Sequence, residues 1–269
     1  MNDSRPIGIF DSGVGGLTVV RAIEEILPSE RLVYVGDTAR VPYGNKSEAT
    51  ITRYSREIAR FLVAGDVKMI VVACNTASAF ALETLRRECT VPVLGVIEPG
   101  VEAAVAASPQ GRIGIIGTAG TIGSGVYQNL ILQRLPAAQL TSLPTPLLVP
   151  LIEEDWLDHE VTALVLREYL RPMEEAGVDT LVLACTHYPL LKPVLSRLLG
   201  PGRILVDSAF ACAQSVRRYL HGHGMLAATE GVGGTEVYLT DLPAHFGRMA
   251  ERFLKHPVRR IEKVALDSV

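Results

Sequence analysis

The 269-residue sequence lacks a basic excess, a long apolar run and a recognisable leader. Its formal net charge is −3, so the electrostatic footprint of nucleic-acid or acidic membrane binding is missing. Although 48% of the residues are hydrophobic, no apolar run approaches the roughly 18 residues that a membrane span requires. The first residues, MNDSRPIGIFDSG, are not basic and then apolar, as a secretory leader would be. We therefore expect a cytoplasmic protein with no membrane partner and no direct nucleic-acid partner.

Closely spaced cysteines are missing as well. The four cysteines, at positions 74, 89, 185 and 212, form no C-x-x-C pair and no short framework. In a cytoplasmic chain of this size such cysteines are expected to be free thiols rather than disulfides. Cys185 and His187 give only C-x-H, so we predict no metal site. None of the five lysines lies in a strand-end motif, which argues against a pyridoxal Schiff base, and we predict no cofactor.

What the sequence does contain is an alternation of short apolar runs with helical periodicity. Near-continuous apolar runs of this kind are typical of parallel strands buried on both faces, and the chain is expected to be an α/β protein. We interpret the last stretch as a tail with one strand, EVYLT (236–240), and a solvated end at PVRRIEK (257–263). The strand-like runs are PIGIF (6–10), RLVYVG (31–36), MIVVAC (69–74), VPVLGVI (91–97), RIGIIG (112–117), TLVLAC (180–185) and RILVD (203–207).

Three motifs recur in the same order at nearly constant offset. IGIFDSG from Ile7 resembles IGIIGTA from Ile113, MIVVACNT resembles TLVLACTH, and LGVIEP resembles RILVDS. Such a repeat indicates two similar α/β domains with mainly parallel sheets flanked by helices. We predict a first domain of residues 1–97 with a returning tail, 208–269, and a second domain of residues 98–207.

The repeated A-C-x-T motif puts Cys74 and Cys185 at the carboxyl ends of equivalent strands, where open parallel sheets bind ligands. We expect a helix to begin just after each cysteine, and its N-terminus favours both a thiolate and a bound carboxylate. Two thiols acting from opposite sides suit inversion at a carbon acid, in which one removes a proton and the other delivers one. Buried filler is the usual role of a lone cysteine, and it fits Cys89 and Cys212. Nucleophilic catalysis by Cys185 with His187 is the other alternative, but it leaves Cys74 unexplained.

Other motifs each have a plainer alternative. DSGVGG (11–16) offers Asp11 and Ser12 after the first strand, although its glycines alone would fit a tight turn. VPYG (41–44) is a turn in which Tyr43 would ordinarily pack. Thr118 and Thr121 in GTAGTIGSG are either ligand contacts or a helix cap. Glu153 and Glu154 follow a proline-rich loop and fit acids at a helix start.

Taken together, DSGVGG, PYG, ACNTAS and ACTHYP resemble the cofactor-independent aspartate/glutamate racemase family over nearly the whole chain, and its glutamate enzymes rather than its aspartate enzymes. The resemblance implies two pseudo-twofold related α/β domains with the active site in the cleft between them. It assigns the paired acid and base roles to Cys74, acting on the D-enantiomer, and Cys185, acting on the L-enantiomer. It implies substrate contacts at Asp11, Ser12, Tyr43, Gly44, Asn75, Thr76, Thr186 and His187, and less distinctively at Thr118, Thr121 and Glu153.

The same resemblance implies a reaction and its setting. The substrate would be L- or D-glutamate, the enzyme would need no cofactor, and D-glutamate would feed peptidoglycan synthesis. Family members are commonly homodimers, so a homodimer is expected. A related racemase or isomerase acting on aspartate or a hydantoin, and a non-catalytic module that binds a small anion, remain the alternatives.

Overall fold

The computed structural model describes residues 3–228 and 233–266. By internal contacts the chain divides into two units, residues 1–96 with 209–269 (unit 1) and residues 97–208 (unit 2). The first domain that we predict also contains residues 1–2, 229–232 and 267–269, which lie outside the described residues.

Strands and helices alternate along the chain as the apolar runs indicate. In the first part these are β1 (Ile7–Asp11), α1 (Leu17–Ile26), β2 (Arg31–Gly36), a 3-10 helix (Tyr43–Asn45), α2 (Glu48–Ala64), β3 (Met69–Val72), α3 (Asn75–Glu88) and β4 (Val93–Gly95). Next come α4 (Ile97–Ala107), β5 (Arg112–Gly117), α5 (Ala119–Gly123), α6 (Val126–Arg134), β6 (Gln139–Pro144), α7 (Leu148–Glu153) and α8 (Glu160–Glu175). The rest is β7 (Thr180–Ala184), a 3-10 helix (Tyr188–Leu191), α9 (Lys192–Leu199), β8 (Ile204–Asp207), α10 (Ser208–Gly222), β9 (Gly234–Leu239), α11 (Phe246–Leu254) and β10 (Ile261–Lys263).

Each unit contains one sheet, and all its strand pairings are parallel. The sheet of unit 1 has the order β10-β9-β2-β1-β3-β4, and that of unit 2 has the order β6-β5-β7-β8. The central strands β1, β3 and β7 are buried at every residue, as continuous Val/Ile/Leu runs require. The expected fold class is therefore confirmed. Within unit 1 the segment β2-β1-β3-β4 has the same order as β6-β5-β7-β8, so β1 matches β5 and β3 matches β7.

In its described residues the C-terminal tail contains two strands, not the single one that we expected. Strand β9 pairs with β2, and β10 pairs with β9 through Ile261, Glu262 and Lys263. The prediction of a solvated end at 257–263 is therefore wrong for 261–263, which form an edge strand, whereas Pro257, Arg259 and Arg260 are exposed as expected. Three residues rich in charge carry no alternating pattern, and an edge strand needs only one neighbour to hydrogen-bond to.

Candidate active site

The two cysteines of the repeat occupy equivalent places. Cys74 lies two residues beyond the end of β3, and Cys185 follows β7 directly. Both side chains are buried, and both cysteines are free thiols. The carboxyl ends of parallel strands are where such sheets bind ligands, so each unit carries a candidate half-site.

The thiol of Cys74 caps the N-terminus of α3. Its Sγ accepts the Ala77 N–H at 3.4 Å and lies 3.7 Å from the Ser12 Oγ. The expected helix start after this cysteine is therefore present. Asn75 and Thr76 form the first turn of α3 and are buried beside the thiol. This end of the helix carries partial positive charge, which favours a thiolate at Cys74 and an anion near it.

Asp11 ends β1 with a fully buried carboxylate. Its Oδ2 accepts the N–H groups of Gly13 at 3.2 Å and Gly16 at 2.9 Å, which folds the glycine-rich loop around it. The hydroxyl of Tyr34 closes the same loop by donating to the Gly13 carbonyl at 2.6 Å. Burial, together with the negative charges of Asp11 and Cys74, raises the pKa of Tyr34 well above its usual range. Asp11 thus shapes the loop that brings Ser12 to the thiol.

Tyr43 is placed differently from what a substrate-contacting side chain requires. Its ring is 1% exposed, and its hydroxyl donates to the Asp37 carboxylate. The Asp37 carboxylate also accepts hydrogen bonds from Arg40 Nε and, at 2.9 Å, from the Thr240 hydroxyl. Gly44, beside Tyr43, keeps partial exposure. Sequence reasoning missed Asp37, Arg40 and Thr240. The position of Asp37 just after β2, at a strand end, could have indicated a site residue. Nothing near Thr240 in the sequence indicates that it contacts this loop.

Cys185 has different neighbours from Cys74. No α-helix begins just after it, contrary to our expectation, because residues 188–191 form a 3-10 turn and α9 begins only at Lys192. Pro189 and Pro193 each lack an N–H, which disfavours one continuous helix. In place of a helix amide the thiol has His187, whose Nδ1 lies 3.9 Å from its Sγ. Thr186 and His187 are both buried next to it.

His187 joins the thiol to a carboxylate. Its Nε2 lies 2.9 Å from the Oε1 of Glu153, so the imidazole bridges Cys185 and Glu153. Burial alone would lower the pKa of His187, but hydrogen bonds to Cys185 and Glu153 and their negative charges outweigh it and raise the pKa to about 10. The raised pKa favours the imidazolium form, which would put a positive charge beside the thiol.

Glu153 is not at a helix start as we expected. It is the last residue of α7, and its side chain is 41% exposed on the far side of the imidazole from Cys185. The helix begins at Leu148 inside the proline-rich segment, because a proline is tolerated in the first turn of a helix.

A second buried pair behind Cys185 was not detected in the sequence. The Tyr188 hydroxyl lies 2.7 Å from the Thr145 hydroxyl and donates to the Thr145 carbonyl at 3.1 Å. The Tyr188 N–H donates to the Cys185 carbonyl at 3.1 Å, which fixes the turn that carries the thiol. Thr145 follows β6, a strand-end position that could have indicated it.

Thr118 and Thr121 form a helix cap. Thr118 Oγ1 accepts the Thr121 N–H at 3.2 Å at the start of α5, and the two hydroxyls lie 3.0 Å apart. Thr121 is fully buried and Thr118 is half-buried. The loop follows β5, which matches the place of Asp11 and Ser12 at the end of β1.

Across residues 3–228 and 233–266, no group of three His, Cys, Asp or Glu side chains is arranged to hold a metal ion. Over the same residues, no helix has the length and apolar character needed to cross a bilayer.

Comparison with known proteins identifies the kind of chain that carries these half-sites. The family model described as Asp/Glu/Hydantoin racemase matches residues 7–216, and that span includes both cysteine motifs. The chain belongs to the Asp/Glu/Hydantoin racemase family. The resemblance drawn from the motifs is thereby confirmed.

Close relatives of this racemase-family chain share one name. The glutamate racemase of Geobacter metallireducens is 51% identical over 264 residues, which is 98% of each chain. That of Neisseria meningitidis serogroup A is 48% identical over 263 residues, 97% of each chain. The structure of Francisella tularensis glutamate racemase in complex with D-glutamate matches with a TM-score of 0.93 at 36% identity, over 99% of this chain and 100% of that one. An aspartate racemase from Picrophilus torridus, with a TM-score of 0.56 at 18% identity, shares the fold.

Proposed function

We propose that this racemase-family chain is a glutamate racemase that interconverts L- and D-glutamate without a cofactor. The observation that carries the proposal is the pair of buried thiols, Cys74 and Cys185, at equivalent strand ends of two sheets that share one four-strand order. Relatives of 51% and 48% identity bear the name glutamate racemase, and a structural neighbour was solved with D-glutamate.

The proposed reaction moves one proton off the α-carbon and one onto it. A thiolate on one face takes the α-proton, the C–H bond breaks, and its electron pair passes into the carbanion adjoining the substrate carboxylate. The thiol on the other face then donates its proton to that carbon, which inverts the centre. Cys74 acts as base on D-glutamate and Cys185 on L-glutamate, and each turnover exchanges their protonation states, so the atoms balance without an oxidant or a co-reactant.

The surroundings support both thiols in this role by different means. Cys74 faces the N-terminus of α3, where the Ala77 N–H and the helix dipole favour negative charge on sulfur. Cys185 instead has the His187 imidazolium, which Glu153 holds in place. A positive charge next to sulfur is the usual companion of a reactive thiolate. The same geometry in unit 2 would also suit a nucleophilic thiol, but that reaction gives Cys74 no part.

The remaining site residues are assigned on the same basis. We infer that substrate contacts come from the strand-end loops, with the tyrosine contributing through its backbone because its phenol is buried against Asp37. A substrate carboxylate suits the first turn of α3. The contacts are Asp11, Ser12, Tyr43, Gly44, Asn75, Thr76, Thr186 and His187, with Thr118 and Thr121 in the loop after β5 and Glu153 as support for His187.

The setting follows from the proposed product. We propose that units 1 and 2 are the two domains of each subunit in a cytoplasmic homodimer. We further propose that the D-glutamate it makes is used in peptidoglycan synthesis. Light scattering on a size-exclusion column measures the oligomer directly, and a monomer across the micromolar range would contradict that part.

Racemisation in deuterated water tests the reaction. Wild-type protein is expected to place deuterium at the α-carbon of glutamate while circular dichroism of the amino acid decays to zero. Cys74→Ser and Cys185→Ser are each expected to lose at least about 10²-fold in kcat, the scale of one acid–base group. Cys89→Ser is the matched control, since Cys89 adjoins the other end of α3, 14 helical residues from Cys74. Full activity in Cys185→Ala would contradict the two-thiol reaction.

A panel of amino acids tests the substrate. Aspartate and a hydantoin are the competing substrates within the family, and a higher kcat/KM for either would replace the glutamate assignment. Alkylation separates catalysis from mere anion binding, because glutamate should protect Cys74 and Cys185 from iodoacetamide if they meet the substrate.

A further inference from the structure

The loop between β2 and α2 carries Tyr43 and Gly44, and a buried carboxylate holds it. Asp37, the first residue after β2, is fully buried and receives the Tyr43 hydroxyl on Oδ2. Arg40 Nε donates to both of its oxygens, at 2.8 and 2.9 Å. Burial, with the charge and hydrogen bond of Asp37, raises the pKa of Tyr43 well above its usual range. The phenol therefore remains a donor to Asp37 at every ordinary pH.

The other anchor of this loop comes from the C-terminal tail. Thr240, just beyond β9, donates its hydroxyl to Asp37 Oδ1 at 2.9 Å and accepts the Ala39 N–H at 2.9 Å. Its neighbour Asp241 exchanges two bonds with Thr38, one from Asp241 N–H to the hydroxyl at 2.9 Å and one from the hydroxyl to the Asp241 carbonyl at 2.6 Å. Because β9 lies beside β2 in parallel register, the two strand ends are adjacent and this contact is fixed by the sheet.

We propose that Thr240 is a positioning residue of the substrate-binding loop. Acting through Asp37, it fixes the Tyr43 phenol and so sets where the Tyr43–Gly44 backbone meets the substrate. The proposal rests on the proposed function, which assigns that pair to substrate contact. A phenol that is 1% exposed and bonded to Asp37 serves as an anchor, while Gly44 keeps partial exposure. A segment 203 residues away in sequence thereby controls ligand affinity.

The Asp37 carboxylate is an acceptor that the side chains of Arg40, Tyr43 and Thr240 share. A carboxylate has about four lone-pair sites, and Asp37 uses them on two hydroxyls and a guanidinium. Removing the Thr240 hydroxyl leaves part of a buried charge without a donor, and the remaining donors must rearrange to cover it. The loop that contains two of them, Arg40 and Tyr43, then loses its single geometry.

Three variants isolate this contact. Thr240→Val removes the hydroxyl at nearly constant volume, and Thr240→Ser restores it. Thr235→Val is the matched control, because Thr235 lies on β9, which Thr240 directly follows. It is half-buried like Thr240 and donates its hydroxyl to a carboxylate, Glu24, at 2.5 Å. The two threonines are five positions apart along extended chain, which places them about 16 Å from each other.

Steady-state racemisation of glutamate is measured in both directions. Thr240→Val is expected to raise KM for both enantiomers by about tenfold, the scale of one hydrogen bond to a charged group, with kcat within about twofold of wild type. Thr240→Ser and Thr235→Val are expected to stay within about twofold in both constants. A purely structural role would lower the active fraction, and so the apparent kcat, at constant KM.

Hydrogen–deuterium exchange of the peptide covering residues 38–46 needs no substrate. Its amides are expected to exchange faster in Thr240→Val alone. Unchanged exchange, a KM equal to that of Thr235→Val, or failure of serine to restore KM would each overturn the proposal. Wild-type protein that does not racemise glutamate would refute the proposed function instead, and the exchange comparison would then decide the positioning role by itself.

Discussion

Replacing Lys68 tests the most deeply buried ion pair among the described residues. The Lys68 ammonium and the Glu30 carboxylate are 0% and 2% exposed, and they meet at 2.5 Å. The ammonium also donates to the carbonyls of Asp3 at 2.9 Å and Met225 at 2.8 Å, while Glu30 Oε1 accepts the Ala227 N–H at 2.8 Å. One side chain thus ties together the chain start, the start of β3 and the segment after α10.

The magnitude follows from what Lys68→Met leaves behind. Glu30 would remain buried with one backbone donor, and two carbonyls would lose theirs. Removing one partner of a buried pair costs about 3–5 kcal/mol. A domain is stable by only about 5–15 kcal/mol, so this change removes about a fifth of that margin or more. With a urea m value of about 2 kcal/mol/M, the midpoint should fall by about 2 M.

Urea unfolding followed by far-UV circular dichroism measures the shift, and Trp156 fluorescence reports separately on unit 2. Lys263→Met is the control, because Lys263 pairs with Asp241 on the surface at 2.9 Å and its loss should leave the midpoint unchanged. The double variant Glu30→Leu/Lys68→Met should be no less stable than Lys68→Met alone, because it no longer buries an unpaired Glu30 carboxylate. A loss below about 1 kcal/mol in Lys68→Met, or strictly additive losses in the double variant, would refute the reasoning.

Three further changes have defined outcomes. Because Glu153 helps to raise the pKa of His187 to about 10, His187 stabilises the fold fully below pH 6.5 and loses that contribution as the pH rises through 10. Glu153→Gln should move the histidine titration, followed by proton NMR, toward 6.5, and an unchanged midpoint would contradict the bridge. Gly16→Ala would place its Cβ 2.4 Å from the buried aspartate that ends β1. We expect this variant to lose about 1–3 kcal/mol of folding stability, measured by thermal unfolding. Gly123→Ala is the control and should lose no stability, because a Cβ there would have nothing within 4 Å. Burial raises the pKa of Cys212 to about 12. This thiol should therefore resist alkylation at pH 8 in the native protein and react in the denatured protein. Rapid alkylation of Cys212 in the native protein would contradict this prediction.

The sequence by itself determined the layered parallel architecture and the places of the two thiols. Short continuous apolar runs between helical stretches favour strands buried on both faces, and that preference is local. Cys74 and Cys185 follow two such runs in repeated context, so their position at strand ends could be inferred without coordinates. The helix start at Asn75 could also be predicted from the sequence, because in α/β units a helix usually begins just after a buried strand.

Only the tertiary structure decided what each side chain meets there. Tyr43 turns inward to Asp37, and Thr240 reaches the same carboxylate from the far end of the sequence, although neither bond leaves any periodic signal. The hydrogen bond between His187 and Glu153 and the ion pair between Lys68 and Glu30 likewise leave no periodic signal in the sequence. Periodicity reports which face of a segment is buried, whereas a hydrogen bond between distant residues depends on which strand ends the sheet order brings together. That order placed β9 beside β2, and with it the tail beside the loop that carries Tyr43.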